Sequence, residues 1–384
     1  MKDSTRRIIS AAITVFCIAA LAAGVFAARS AVPKEYNQYY TVSYELAKVE
    51  KVMLDNYSVD DDAEHAKRGS QSLNVRIATG KHKGDLMPVT NYLGPLHEKL
   101  AKKGTVLTVM ITEDSREAGY QISVINYDLT WLYVGMLLLF IAAVVVVGRK
   151  KGVMSLLGLA YSIIAIVFFL IPMWLKGGRA IPLTVVTSAF ITVFSFTLLG
   201  GFSRKTLAAM AGTLACVLVS GAFAAVCGAI GGVSGLNMEE AEWLLDEGKA
   251  AGIVLNVRGL LVSGIIIASL GAVMDVAMSI ASSVNELSEV APKLSRGRLF
   301  KSGMNIGRDM IGTMTNTLIL AFVGSSLNLI IIMFAAGMQP YQLINNDDTL
   351  MEVIRGIAGS LGLVLAVPLT ALIASTMSRR KRQQ

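Results

Sequence analysis

Apolar positions in this chain follow two rhythms. In eight runs they are nearly continuous: 8–28, 129–148, 152–175, 180–201, 206–232, 257–283, 309–337 and 353–377. Each reaches the roughly 20 residues that a helix needs to cross about 30 Å of hydrocarbon. Between residues 30 and 128 apolar and polar positions alternate instead, the period of a strand with one face buried. Strands are predicted at Tyr40 to Leu54, Ser72 to Thr79, Asp85 to Tyr92, Thr105 to Thr112 and Tyr120 to Asn126, with Leu73, Val75 and Ile77 sharing one face. Thr79 to Gly84, TGKHKG, reads as a hairpin turn, and GPLHEKLAKK (94–103) as a short helix between the third and fourth strands. Five strands and one helix in that order suggest an OB-like barrel. The expected fold class is therefore an α-helical polytopic membrane protein of about eight spans with a small β-rich, OB-like exterior domain.

Composition agrees with the first rhythm. Hydrophobic residues make up 54% of the 384, charged residues only 16%, and the mean hydropathy is +0.58. These values exclude an ordinary soluble domain. The formal charge of +8 looks like a nucleic-acid signal until it is placed along the chain. With the N-terminus inside, 17 Lys and Arg lie at inner span ends and five at outer ones, which puts both termini in the cytoplasm. The remaining 13 lie between Arg29 and Asp128 beside 14 Asp and Glu, so no basic groove and no nucleic-acid partner are expected there. The division is then 1–29 N-terminal membrane anchor, 30–128 extracytoplasmic β-rich domain, 129–378 seven-helix membrane domain and 379–384 basic cytoplasmic tail. A cleaved signal peptide is the alternative for the first run, which is longer than a usual signal core.

The cysteines, Cys17, Cys216 and Cys227, all fall in apolar runs and read as small packing residues, leaving no disulfide outside and no cysteine metal site. His65, His82 and His97 are isolated from one another in sequence and read as solvated surface residues, a metal site built from them being the weaker alternative. No cofactor or metal is expected. Asn237 with Glu240 three residues later suggests a capped amphipathic helix between the fifth and sixth spans.

Asp275 stands alone in 25 otherwise uncharged residues, Gly259 to Ser283. An ionised Asp at membrane depth costs roughly 2.5 to 3.5 kcal/mol, so a chain that keeps one pairs it, neutralises it or uses it. Ala268, Gly271 or Ala272, Asp275, Ser279 and Ser282 form one helical stripe. The next span opens with a second, Asn305, Asp309, Gly312 or Thr313 and Asn316, beside Arg308. Two readings stand side by side. Small and polar stripes are what helices in lipid use to pack and hydrogen-bond. Alternatively the stripes face each other, and Asp275, Ser279, Arg308, Asp309 and Asn316 bind an ion, a proton or a polar substrate group.

Enzyme signatures are missing. No GxxxxGK[ST] phosphate loop is present. Gly232-Val233-Ser234-Gly235 has the GxSG form of rhomboid proteases, but no histidine lies in any span to act as base. Asp275 and Asp309 invite comparison with a carboxylate dyad, yet the second reads Gly307-Arg308-Asp309 rather than GxGD. No catalytic residue and no enzymatic activity are expected.

GGFSRKT (200–206), SLGAVMDVAMSIASS (269–283) and GRDMIGTMTNTLILAFVG (307–324), preceded by an anchor and a β-rich region, resemble the YibE/F-like family of bacterial multi-span membrane proteins, in its longer YibE-type form. The resemblance implies a bacterial cytoplasmic-membrane location; no substrate and no catalytic residue come with it. The functional expectation is a secondary transporter or exporter of a small substrate or ion. The alternative is a non-transporting scaffold or assembly factor whose exterior domain docks a protein partner. Oligomeric state is not legible.

Overall fold

The computed structural model describes residues 3–28, 40–60, 66–94, 99–114, 119–233, 235–237, 241, 244–246 and 255–378. Its contacts form two compact units, Lys34–Ala143 and Met1–Pro33 with Val144–Gln384.

The first unit is a curled antiparallel sheet. Strands β1 (Tyr40–Asp60), β2 (Ala66–Ile77), β3 (Leu86–Leu93), β4 (Val106–Asp114) and β5 (Tyr120–Tyr127) pair in the order β3-β2-β1-β4-β5. All five predicted strands are present, the first two longer than their patterns suggested. Register slips between Val49 and Lys51 and between Val52 and Leu54 mark irregular pairing that bends β1, so that a single long strand serves both halves of the sheet. The edges β3 and β5 approach each other without forming a ladder, which leaves a half-barrel. Leu73, Val75 and Ile77 point inward as their alternation requires, onto Ala47, Val49, Leu107, Val109 and Ile111.

Gln71 is 2% exposed and ties this unit together. Its Nε2 donates to Asp55 Oδ1 at 2.6 Å and to the Ala101 carbonyl at 3.3 Å. Its Oε1 accepts from Asn91 Nδ2 at 3.1 Å and from the Ala101 N–H at 2.8 Å. These bonds, with Lys102 N–H to Thr105 Oγ1 at 3.0 Å, hold 99–103 in a non-helical course. The helix expected over 94–103 is therefore absent from its described part; residues 95–98 lie outside the described residues. Side chains elsewhere in the sheet satisfy the backbone that a helix would have satisfied itself.

The second unit is helical, with α2 beginning in the first unit and continuing into it: α1 (Asp3–Ala28), α2 (Thr130–Ile164), α3 (Ile171–Leu175), α4 (Ala180–Gly200), α5 (Arg204–Ile230), α6 (Leu260–Val290), α7 (Arg296–Ser325), α8 (Leu327–Ala335), α9 (Pro340–Ile344) and α10 (Asp347–Met377). Among the described residues six helical runs are long and apolar enough to cross a membrane, or seven if the pair α7 and α8, bent by 56°, counts as one. These runs mark a membrane protein. Two expected spans, 129–148 and 152–175, join in one 46-residue run, Thr130–Leu175. Within it Arg149 adopts φ 49°, ψ −132°, and Gly152 lies against the Val144 carbonyl. On a straight helix those two residues would be about 12 Å apart along the axis, so the chain turns sharply at Arg149. GRKK at 148–151 contains no proline to end a helix; only the backbone shows the break.

At the centre of this unit α6 packs on α10, with α5 and α7 each against both. Val273, Val276, Ala277, Ile280 and Val284 of α6 meet Leu363, Ala366, Val367 and Ala371 of α10, all fully buried. Glycine lets α7 approach: a Cβ on Gly303 would lie 2.9 Å from both Val284 and Ala371, and one on Gly307 would collide with Val367. Gly228 and Gly232, which share a small-xxx-small spacing, serve a different purpose. α5 ends at Ile230, Gly232 turns the chain with φ +69°, and Gly228 gives room to the Val233 carbonyl. Of the capping pair expected at the next connection, Asn237 closes a 3₁₀ turn, Gly235–Asn237, and Glu240 lies outside the described residues.

Candidate functional site

Helical geometry decides which way each stripe points. The buried residues Val273, Val276, Ala277, Ile280 and Val284 define the inner face of α6. At 100° per residue Asp275 falls on the opposite side, 180° from Val284, in line with Gly264, Ala268, Gly271, Ser279 and Ser282. Gly264, Ala268, Gly271 and Asp275 are exposed, and Ser279 and Ser282 partly so. A Cβ on Gly264 or Gly271 would meet nothing within 4 Å. The stripe is thus a smooth outward face of small residues with one carboxylate, and among the described residues Asp275 has no hydrogen bond or ion pair.

The second stripe also points outward. Gly303 and Gly307 fix the inner face of α7 against α6 and α10. Asn305, Asp309, Gly312 and Asn316 lie opposite Gly307; they, Arg308 and Thr313 are exposed. Arg308 Nη1 donates to Asn305 Oδ1 at a long 3.4 Å, and Thr313 and Thr317 bond back to carbonyls of their own helix. Within one chain the structure does not bring the stripes together. α7 touches α6 at Val284, the side facing away from Asp275. Of the five sequence-predicted site residues, Arg308, Asp309 and Asn316 share one outward face and Asp275 and Ser279 another.

Two clefts of the helical unit lie elsewhere. One of about 710 Å³ runs between α1 and α2, lined by Leu21, Val25, Phe26, Ala160, Tyr161 and Phe168. A second of about 290 Å³ lies between the bent pair α7–α8 and α10, bordered by Phe322, Met333, Thr349 and Glu352. Glu352 pairs there with Arg355 at 2.5 Å, an i, i+3 ion pair whose spacing is visible in the sequence.

In the β unit the structure corrects the reading of His82. Its side chain is only 18% exposed, its Nε2 lies 2.7 Å from Glu113 Oε1, and its Nδ1 lies 3.6 Å from Asp85 Oδ2. The ring packs on Tyr120 with centroids 3.9 Å apart, and Tyr120 donates to Asp85 at 2.8 Å. Lys81 reaches the same Glu113 at 2.8 Å. Hydrogen bonds from Lys81 and His82 hold the Glu113 carboxyl below its usual range. Burial, then its bond to Asp85, pushes the Tyr120 hydroxyl up to about 12. The cluster closes the β2–β3 turn onto β4 and β5. The partners of His82 lie on opposite sides of its ring and do not converge on one point, and no group of three metal-ligating side chains occurs among the described residues. His65 and His97 lie outside those residues.

No curated protein and no solved structure matches the chain. Residues 136–380, from within α2 to beyond the end of α10, match the family described as YibE/F-like protein, a span that includes both outward stripes. The chain belongs to the YibE/F-like family.

Proposed function

We propose that the protein is a secondary transporter or exporter of a small polar substrate or ion, with Asp275 as the group that binds the charge it moves. The observation that carries this reading is a carboxylate without a partner among the described residues, amid small residues on a helix of membrane-spanning length. Division of α2 at Arg149 and the bent pair counted as one span make eight spans. Both termini then lie in the cytoplasm of a bacterium, and the half-barrel, read as OB-like, lies outside the cytoplasmic membrane. Residues 1–29 act as a retained anchor and 129–378 as the membrane domain. The reading gives the protein no enzymatic step, no cofactor and no nucleic-acid partner.

One observation supports a second role. A cleft of about 500 Å³ over β2, β3 and β5, bordered by Met53, Leu73, Val89 and Tyr92, supports docking of a protein partner at the half-barrel, as a scaffold or assembly factor would require. Vesicles reconstituted with the full chain and loaded with a pH-reporting dye separate the two. Transport predicts proton or sodium-coupled flux whose pH dependence is lost on Asp275→Asn. Flux with unchanged pH dependence removes Asp275 from the mechanism, and vesicles silent to proton, sodium and potassium gradients favour the scaffold.

A further inference from the structure

The two outward stripes share a level in the membrane. Gly303 of α7 and Val284 of α6 are in contact and mark one height on the antiparallel pair. Counted from that height at about 1.5 Å per residue, Ser279 and Arg308 are each five residues up, Asp275 and Gly312 nine, and Gly271 and Asn316 thirteen. Asp275 therefore sits between the heights of Arg308 and Asn316, about 6 Å from each, a distance that a long Arg side chain spans. Own-chain geometry nevertheless turns the two faces apart.

We propose that the outward face of α6 is covered by the outward face of α7 from a second copy of this chain, so that Arg308 and Asn316 of the neighbouring copy complete the site of Asp275. Three features select this occupant. Copies inserted in the same direction keep their heights, so the slab holding Asp275 meets the slab holding Arg308 and Asn316. Charge favours α7 over a second α6: its face offers Asp275 the Arg308 cation and the Asn316 amide, with Asp309 of the same face about 4.5 Å from Asp275 in height and next to that cation, where two α6 faces would bring Asp275 against itself with no cation between. Shape fits as well, because Gly264, Ala268 and Gly271 allow close backbone approach opposite the longer side chains of α7. The contact joins unlike faces, so it closes into a dimer or a small ring according to the angle between them. It holds whether or not a solute moves.

The test uses the full chain in native membranes, with Cys227→Ser to remove the partly exposed native thiol. Two differently tagged copies are co-expressed, one with Gly271→Cys and one with Asn316→Cys, and oxidised with copper phenanthroline. The expected result is a mixed-tag disulfide dimer at about ten times or more the yield with a Val186→Cys partner, a position exposed on α4. Asp275→Arg reduces that yield by about tenfold or more, and Asp275→Arg with Arg308→Asp in the same chain restores it. A mixed dimer no more abundant than the control, or Gly271→Cys copies linking to each other instead, overturns the proposal. A strong mixed dimer that ignores both charge changes overturns the pairing of Asp275 with Arg308.

Discussion

The half-barrel and the helical unit treat polar side chains in opposite ways. In the half-barrel Gln71 is buried and makes four hydrogen bonds, and His82 is flanked by two carboxylates and a tyrosine. In the helical unit Asp275 and Asp309 stand on outward faces without hydrogen bonds or ion pairs among the described residues. A buried polar group must be satisfied where it lies, so the first kind of site is finished within the chain and rigidifies it. The second kind is unfinished. A carboxylate on a helix of membrane-spanning length, without a partner among the described residues, points to something outside the chain: a solute, a proton or another copy.

Substitutions test whether this division is real. The largest expected effect is that of Gln71→Leu, which strands the Ala101 N–H, leaves Asn91 only its 3.5 Å bond to the Lys99 carbonyl and removes the donor to Asp55. About 3 kcal/mol of stability should be lost, read as a lower melting temperature of the full chain. Next is Gly307→Leu, whose side chain collides with Val367; overpacking of this kind costs about 1 to 3 kcal/mol. Gly312→Leu, on the opposite side of α7, meets nothing within 4 Å and should leave the fold of a single chain intact. Equal losses from the two would mean that the outward face of α7 is not outward.

Glu113→Gln has a smaller, pH-dependent effect. Lys81 and His82 depress the folded-state pKa of Glu113 below its ordinary 4.5, so its contribution to stability is present above that value and disappears as pH falls through the folded-state pKa. The wild-type chain should therefore lose more stability than the variant between pH 6 and acid below about 4, measured by melting across that range. Tyr120 works in the other direction. Its raised pKa contributes stability that is present below 10 and lost as pH rises through about 12, a loss that Tyr120→Phe should remove from alkaline melts. Asp275→Asn should produce the smallest effect on single-chain stability, within about 0.5 kcal/mol, because among the described residues no hydrogen bond or ion pair depends on the charge. A loss as large as that of Gln71→Leu would show a partner inside the chain and collapse the contrast.

What the sequence disclosed follows from the range of each interaction. Strand alternation around Leu73, Val75 and Ile77 and the apolar runs are local patterns, and both reappear in the structure. So do the stripes, since residues 268, 271, 275 and 279 share a helix face whatever surrounds it. Periodicity does not say which neighbour a face meets. A stripe of Gly, Ala and Ser reads the same against α7, a second copy or lipid, and only Val284 meeting Gly303 shows that Asp275 faces away. His82 was misread for a related reason: Glu113 is 31 residues distant, and the sheet register alone brings them to 2.7 Å. The course of 99–103 likewise depends on Gln71, 30 residues from Ala101.

The most direct test of the unfinished site is a density map of the full-length wild-type protein in lipid nanodiscs. The account predicts α7 of a second copy against α6, with density joining Asp275 to Arg308 or Asn316 of that copy. A single copy with Asp275 bonded to its own chain, or with its α6 stripe against bare lipid, would contradict it.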